Sequence, residues 1–179
     1  RAAGGGAPIK VRLVKGANLA MERVEAELHD WSQAPYTTKH EVDANYVRLL
    51  ERAIGRAAPA LRLGVASHHL HHVALALELA RARGASDQVD VEMLQGMAPD
   101  WARTVAADAP GRLVLYTPVV HRGDFDAAVS YLVRRLEENA APENYLYALF
   151  SEAGPRSYLD RFRASVRERD TVVELSLIH

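Results

Sequence analysis

Four short runs rich in branched aliphatic residues, IKVRLV (9–14), LRLGVA (61–66), QVDVEML (88–94) and RLVLYTPV (112–119), are each followed by a stretch of helical period. This alternation constrains the fold more than any other feature of the chain. Strands separated by helices cannot pair as hairpins; they pair in parallel through helical crossovers. The last three runs begin at residues 61, 88 and 112, the cadence of βα units, whereas the first unit carries two helical stretches, at 19–31 and 41–54. The run SYLVRRLEEN (130–139) continues the helical period, a further helix is expected near 143–151, and a charged one follows Gly154-Pro155 at 156–168. No internal repeat is evident. A (βα)8 barrel of the TIM type needs about 250 residues, and the chain supplies four βα units. The expected fold is α/β, half of such a barrel.

Composition sets bounds without choosing a function. The chain has 179 residues, 49% hydrophobic and 25% charged, with a formal net charge of -1, values that fit one soluble globular unit and not a basic nucleic-acid binder. It has no cysteine, which excludes disulfides and thiolate metal sites and agrees with a reducing compartment. No apolar run approaches the roughly 18 residues of a membrane span, and the start RAAGGGAPIK lacks the apolar core of a signal peptide. A cytoplasmic protein is the expectation.

Charged residues in apolar settings carry the chemistry. Arg134 and Arg135 stand side by side in a helix whose other flank bears Ala128, Val129, Leu132, Val133 and Leu136. Adjacent guanidiniums repel each other and cost desolvation energy, so a carboxylate guest would compensate them; a solvated face with ordinary ion pairs is the alternative. Glu138 lies four residues beyond Arg134 and three beyond Arg135, within reach of both. In the first strand Arg12 and Lys15 also need partners, because parallel strands are normally buried on both faces. These partners are either acidic residues elsewhere in the fold or a ligand at the strand's C-terminal end, where Gly16 lets backbone approach closely. Tyr116 ends the last strand, with Thr117-Pro118 turning the chain after it. HHLHH (68–72) spaces His68 and His72 as two zinc ligands on a helix would be, although no HExxH pattern accompanies them.

YLVRRLEEN, VLYTPV (114–119), VEMLQGM (91–97), GVASHH (64–69) and VRLVKGA (11–17) together resemble the proline dehydrogenase domain of the bacterial bifunctional proline utilization A family, in order and spacing across residues 8 to 150. The resemblance implies that residues 1–150 are the C-terminal half of the barrel, strands five to eight and the last helix, with strands one to four lying upstream. Residues 151–179 would then be a helical linker toward an aldehyde dehydrogenase domain, with the tail VELSLIH (173–179) resembling translated adapter sequence. The implied activity is FAD-dependent oxidation of L-proline to 1-pyrroline-5-carboxylate with electrons passed to a quinone. In full-length form the protein would be a cytoplasmic homo-oligomer, peripherally associated with the membrane that holds the quinone. The family also supplies a lysine and an aspartate from its early strands, so the chain alone is expected to be inactive.

Site roles follow by the same resemblance. Arg134 and Arg135 would pin the substrate carboxylate so that hydride leaves C5 for flavin N5, Glu138 would brace them, and Tyr116 would line the proline pocket. Arg12, Lys15 and Gly16 would contact FAD near N5. Thr37 and Lys39, in PYTTKHEVD (35–43), would reach the cofactor's far end, an ordinary helix N-terminus being the alternative. Ser67 and His68 match the family's ASHN or ATHN motif beside the flavin, Glu92 stands where some members carry glutamine, and Leu94 would pack on the isoalloxazine. Asn18, in place of a common tyrosine, and His69, in place of asparagine, are departures that alter the pocket. No metal is implied. Two other readings stay open: a metal-dependent barrel hydrolase using the histidine cluster, and a non-enzymatic α/β scaffold whose arginines dock an acidic partner. The strand cations Arg12 and Lys15 distinguish the flavoenzyme from the scaffold.

Overall fold

The structure is a computed structural model, and it describes residues 6–15, 19–31, 36, 38–55, 60–109, 111–140, 147 and 154–172, with the side chains of 19, 20, 137–140, 154 and 155 outside the description. Four strands, β1 (Ile9–Leu13), β2 (Leu61–Ala66), β3 (Val89–Leu94) and β4 (Leu113–Tyr116), form one parallel sheet in chain order. Between them run α1 (Leu19–His29), α2 (Lys39–Ala53), α3 (Leu70–Ala82) and α4 (Pro99–Asp108); α5 (Phe125–Ala140) and α6 (Gly154–Glu168) follow. Four sequential parallel βα units in this order are a partial barrel. The helix expected near 143–151 lies outside the described residues.

Local chemistry sets the helix ends. Thr38 and Glu41 make a capping box at the start of α2: the Glu41 N–H donates to Thr38 Oγ1 at 3.2 Å, and the Thr38 N–H donates to Glu41 Oε2 at 3.1 Å. α3 stops at Gly84, whose φ of +62° is left-handed. Its N–H donates to the Arg81 carbonyl while the Ala85 N–H donates to the Ala80 carbonyl, so the orphan carbonyls of the last turn are satisfied. Pro99 opens α4, where its missing N–H costs nothing.

The two faces of the sheet differ in kind. Odd-numbered residues meet the helices: Leu63, Val65 and Val89 pack with Tyr46, Leu50 and Ile54 of the α2 region, and Val91 and Met93 with Val73 of α3 and Val105 of α4. Even-numbered residues point to the inner face and are largely charged: Lys10 and Arg12 on β1, Arg62 on β2, Asp90 and Glu92 on β3. On the inner side ion pairs replace the apolar packing usual for a parallel sheet, and Arg12 finds the acidic partner that its place in a strand required. α6 lies against α2, held by Arg169 Nε to Glu51 at 2.7 Å, a His40–Glu168 pair and Arg48 Nη1 to the Val172 carbonyl at 2.7 Å. Among the described residues no helix is long and apolar enough to cross a membrane.

Leu50, at the centre of this helix layer, is one of several core side chains with no exposure. Leu50→Ala should lower unfolding stability by about 2 to 5 kcal/mol, and Thr38→Ala, which removes only the cap, by about 1 kcal/mol. Urea unfolding followed by circular dichroism measures both, and equal losses would refute this ranking of core over cap.

Candidate functional site

On the inner face the strand register brings three expected site residues together. Glu92, buried near the end of β3, accepts from Arg12 Nε and pairs with Lys10 Nζ at 2.9 Å. The Arg12 guanidinium carbon stands 4.5 Å from the centroid of the Tyr116 ring, a cation–π geometry. β1, β3 and β4 thus contribute one residue each to a single contact. Asp90, one pleat back, is held by Lys10 at 3.2 Å and by Arg62 Nη2 at 3.0 Å to one oxygen and 3.1 Å to the other. Lys10 and Arg12 lie half-open to solvent, the carboxylates beneath them. The Lys10 ammonium is shifted up from its ordinary value, chiefly by its bond to Glu92.

Lys15 follows β1 and goes to the other side. Its Nζ donates to His72 Nδ1 at 3.0 Å, lies 3.4 Å from Asp43 Oδ1 and stands 5.3 Å from the centre of the Tyr46 ring. Lys39 of α2 pairs with the same carboxylate, as its position four residues before Asp43 allows. Desolvation is the largest influence on Lys15 and lowers it to about 7, Asp43 opposing and Lys39 reinforcing the shift. Burial raises Asp43, but the neighbouring charges of Lys15 and Lys39 outweigh it and hold the carboxyl below its ordinary value. Arg12 and Lys15, expected together at one cofactor, thus sit in separate clusters.

The segment after β2 is a turn. Ser67 Oγ accepts from the His69 N–H at 3.0 Å, so α3 begins only at Leu70 and His68 precedes it. The helical i, i+4 pairing expected of His68 and His72 therefore does not form. His68 Nε2 accepts from the Leu94 N–H at 3.0 Å, which assigns the proton to Nδ1. Burial lowers His68 to about 4, keeping it neutral, and Nδ1 is buried without a hydrogen-bond partner among the described residues. His72 gives Nδ1 to Lys15, and desolvation pushes it well below its ordinary value. His69, His71 and His72 pack against α6, with His69–Tyr158 centroids 4.4 Å apart and His71–Phe162 5.3 Å apart. Among the described residues no three histidine or carboxylate side chains are grouped to hold a metal.

Arg134 is exposed on α5, with no ion pair among the described residues; Arg135 is half-buried, its guanidinium carbon 5.5 Å from the Tyr131 ring centre. The Glu138 side chain, Gly16, Asn18 and Thr37 lie outside the described residues. Sequence reasoning missed Asp43, Tyr46 and His72 as partners of Lys15. Only the i, i+4 spacing of Lys39 and Asp43 signalled any of them.

Sequential parallel βα units, with Arg12, Glu92 and Tyr116 brought together from the later positions of β1, β3 and β4, define a segment of a βα barrel. The proline dehydrogenase family matches residues 1–147, and the chain belongs to that family. It is 31% identical over 145 residues to the bifunctional protein PutA of Klebsiella aerogenes, covering 77% of this chain and 11% of that protein. Among solved structures, proline utilization A from Corynebacterium freiburgense superposes with a TM-score of 0.80 at 53% identity, over 97% of this chain and 16% of that one. The proline utilization A of Bdellovibrio bacteriovorus inactivated by N-propargylglycine gives a TM-score of 0.78 at 29% identity, over 98% and 17%. The chain thus spans about a tenth of the length of the curated relative it matches.

The Lys15 cluster yields a titration. The 13Cε resonance of Lys15 should report a midpoint near 7, against about 10.4 for ordinary lysines. Asp43→Asn should lower it further, since the carboxylate raises it. Because the folded value is depressed, the unfolded chain holds the extra proton between pH 7 and 10.5, so this group makes folding stability rise with pH across that window. A Lys15 midpoint above 10 would refute the desolvated placement.

Proposed function

We propose that this chain is the C-terminal half of an FAD-dependent L-proline dehydrogenase barrel, oxidising proline to 1-pyrroline-5-carboxylate. One observation carries the reading: Arg12, on the inner face, is held between Glu92 and Tyr116 within residues that match the family. FAD, when bound, supplies the hydride acceptor.

The residues present fit that cofactor. Arg12 offers positive charge to a group that becomes anionic on reduction, and the buried Nδ1–H of His68 is a neutral donor left open for an acceptor. Ser67, Leu94 and Lys39 complete the proposed FAD contacts, and Gly16, Thr37 and Lys15 belong to the same assignment by resemblance. Glu92 is proposed to act through Arg12. Arg134 and Arg135 bind the proline carboxylate as a charge-assisted pair, with Glu138 bracing them and Tyr116 bounding the ring. The exposure of Arg134 suits a residue that awaits a ligand. Holding the substrate by its carboxylate orients C5, and positioning supplies much of the rate.

The electrons are proposed to pass to a quinone at a membrane surface, in a cytoplasmic homo-oligomer whose second, aldehyde dehydrogenase domain follows residues 151–179. The bifunctional designation of the Klebsiella relative supports that arrangement. Inactivation of the Bdellovibrio relative by N-propargylglycine, an N-alkylated amino acid, is consistent with the same substrate class.

The test is a whole barrel made by fusing this chain to the complementary half of a relative. The purified protein should be yellow and should bleach anaerobically on addition of proline, and chelators should have no effect. Arg134→Met or Arg135→Met should raise the half-saturating proline concentration by about one to two decades, the equivalent of a lost charged contact of roughly 1.5 to 3 kcal/mol, with flavin content little changed. A colourless, zinc-containing preparation inactivated by chelation would overturn the assignment.

A further inference from the structure

Glu92 on β3 holds two cations from β1, although β2 runs between those strands. The carboxylate and its partners meet over Gly64, which pairs in register with Arg12 on one side and Asp90 on the other. A Cβ at Gly64 would stand 2.3 Å from Glu92 Oε1, 2.9 Å from its Cδ and 3.2 Å from Lys10 Cε. The first two separations are too short to persist, so a side chain at Gly64 would displace the Glu92 carboxylate. Gly64 does not serve backbone conformation here, since it lies mid-strand; it serves as the opening through which a β3 carboxylate reaches a β1 guanidinium.

Arg12 is fixed from two directions. Its Nε donates to Glu92, and its plane lies by the ring of Tyr116 from β4. One of five guanidinium N–H groups is thereby engaged, and four remain on Nη1 and Nη2. Lys10, Arg12 and Arg62 surround Asp90 and Glu92 on the inner face, and Arg112, paired with Asp87, also comes within 3.9 Å of Asp90, so positive charge is in excess among these described residues. Glu92 is buried beneath both of its cations, an expensive place for a carboxylate that did not serve a fixed geometry.

We infer that Glu92 is the positioning residue for Arg12: passing over Gly64, its carboxylate sets the guanidinium against Tyr116 with both Nη groups turned to an incoming anionic group, and it touches no cofactor itself. The importance of Arg12 rests on the proposed function; the Gly64–Glu92–Arg12 relay does not.

The two are separated by NMR of this chain, isotope-labelled within the fused whole barrel, observing the Arg12 side chain with and without FAD. In the wild type, Arg12 Hε should exchange slowly and its Hδ protons should be displaced by the Tyr116 ring current, a displacement abolished by Tyr116→Leu. Glu92→Gln, which keeps the volume, should speed Hε exchange at least tenfold and remove the displacement. Gly64→Ala should do the same with Glu92 still present, whereas Lys10→Met should leave both signals intact. Unchanged Arg12 signals in both the Glu92 and Gly64 variants would overturn the inference, whatever FAD does. Arg12 signals that depend on Glu92 yet fail to move on FAD addition would uphold the relay and count against the flavin assignment instead.

Discussion

Two buried carboxylates in the middle of a parallel sheet determine what the rest of this structure can be. Asp90 and Glu92 occupy β3 positions where a branched aliphatic residue is usual, and an unpaired anion there would cost several kcal/mol. Cations from β1, from the neighbouring β2 and from the residue before β4 therefore converge on them. Once the inner face is committed to charge, the odd-numbered side chains must supply the apolar core alone. They do so by packing Val65, Val91 and Met93 under α2, α3 and α4. The segregation of the two faces is thus one fact seen from two sides.

The helix layer has its own polar centre. Lys15 joins the end of β1 to Asp43 on α2 and His72 on α3, and α6 closes over the adjacent histidines with Tyr158 and Phe162. Burial keeps these histidines neutral, so they behave as flat, polarisable packing groups. One ring nitrogen of His68 is bonded to Leu94 and one of His72 to Lys15.

Much of the fold was legible because βα cadence is a local, periodic signal. The strands at 61–66 and 89–94 and the helices after them fall where the pattern puts them. The site was legible in its cast and less so in its pairings. Arg12 needed a partner, and sequence left open whether that partner was a ligand or an acid; Glu92 fills the role, and it was visible as one of two acids alternating on β3. The divergence of Arg12 and Lys15 follows from parity, since residues three apart on an extended strand face opposite ways. The start of α3 was not legible, because the Ser67 hydroxyl turns the chain through a bond that no periodicity records. Gly64 was equally silent: a glycine mid-strand can mark a bulge or a close approach, and only coordinates distinguish them.

Lys15 also has a thermodynamic consequence. An amine whose ordinary charge is nearly balanced by desolvation takes its protonation from whatever is beside it. The charge of Asp43 is therefore what holds the proton on Nζ around neutrality, and neutralising that one carboxyl would release it without any side chain having to move.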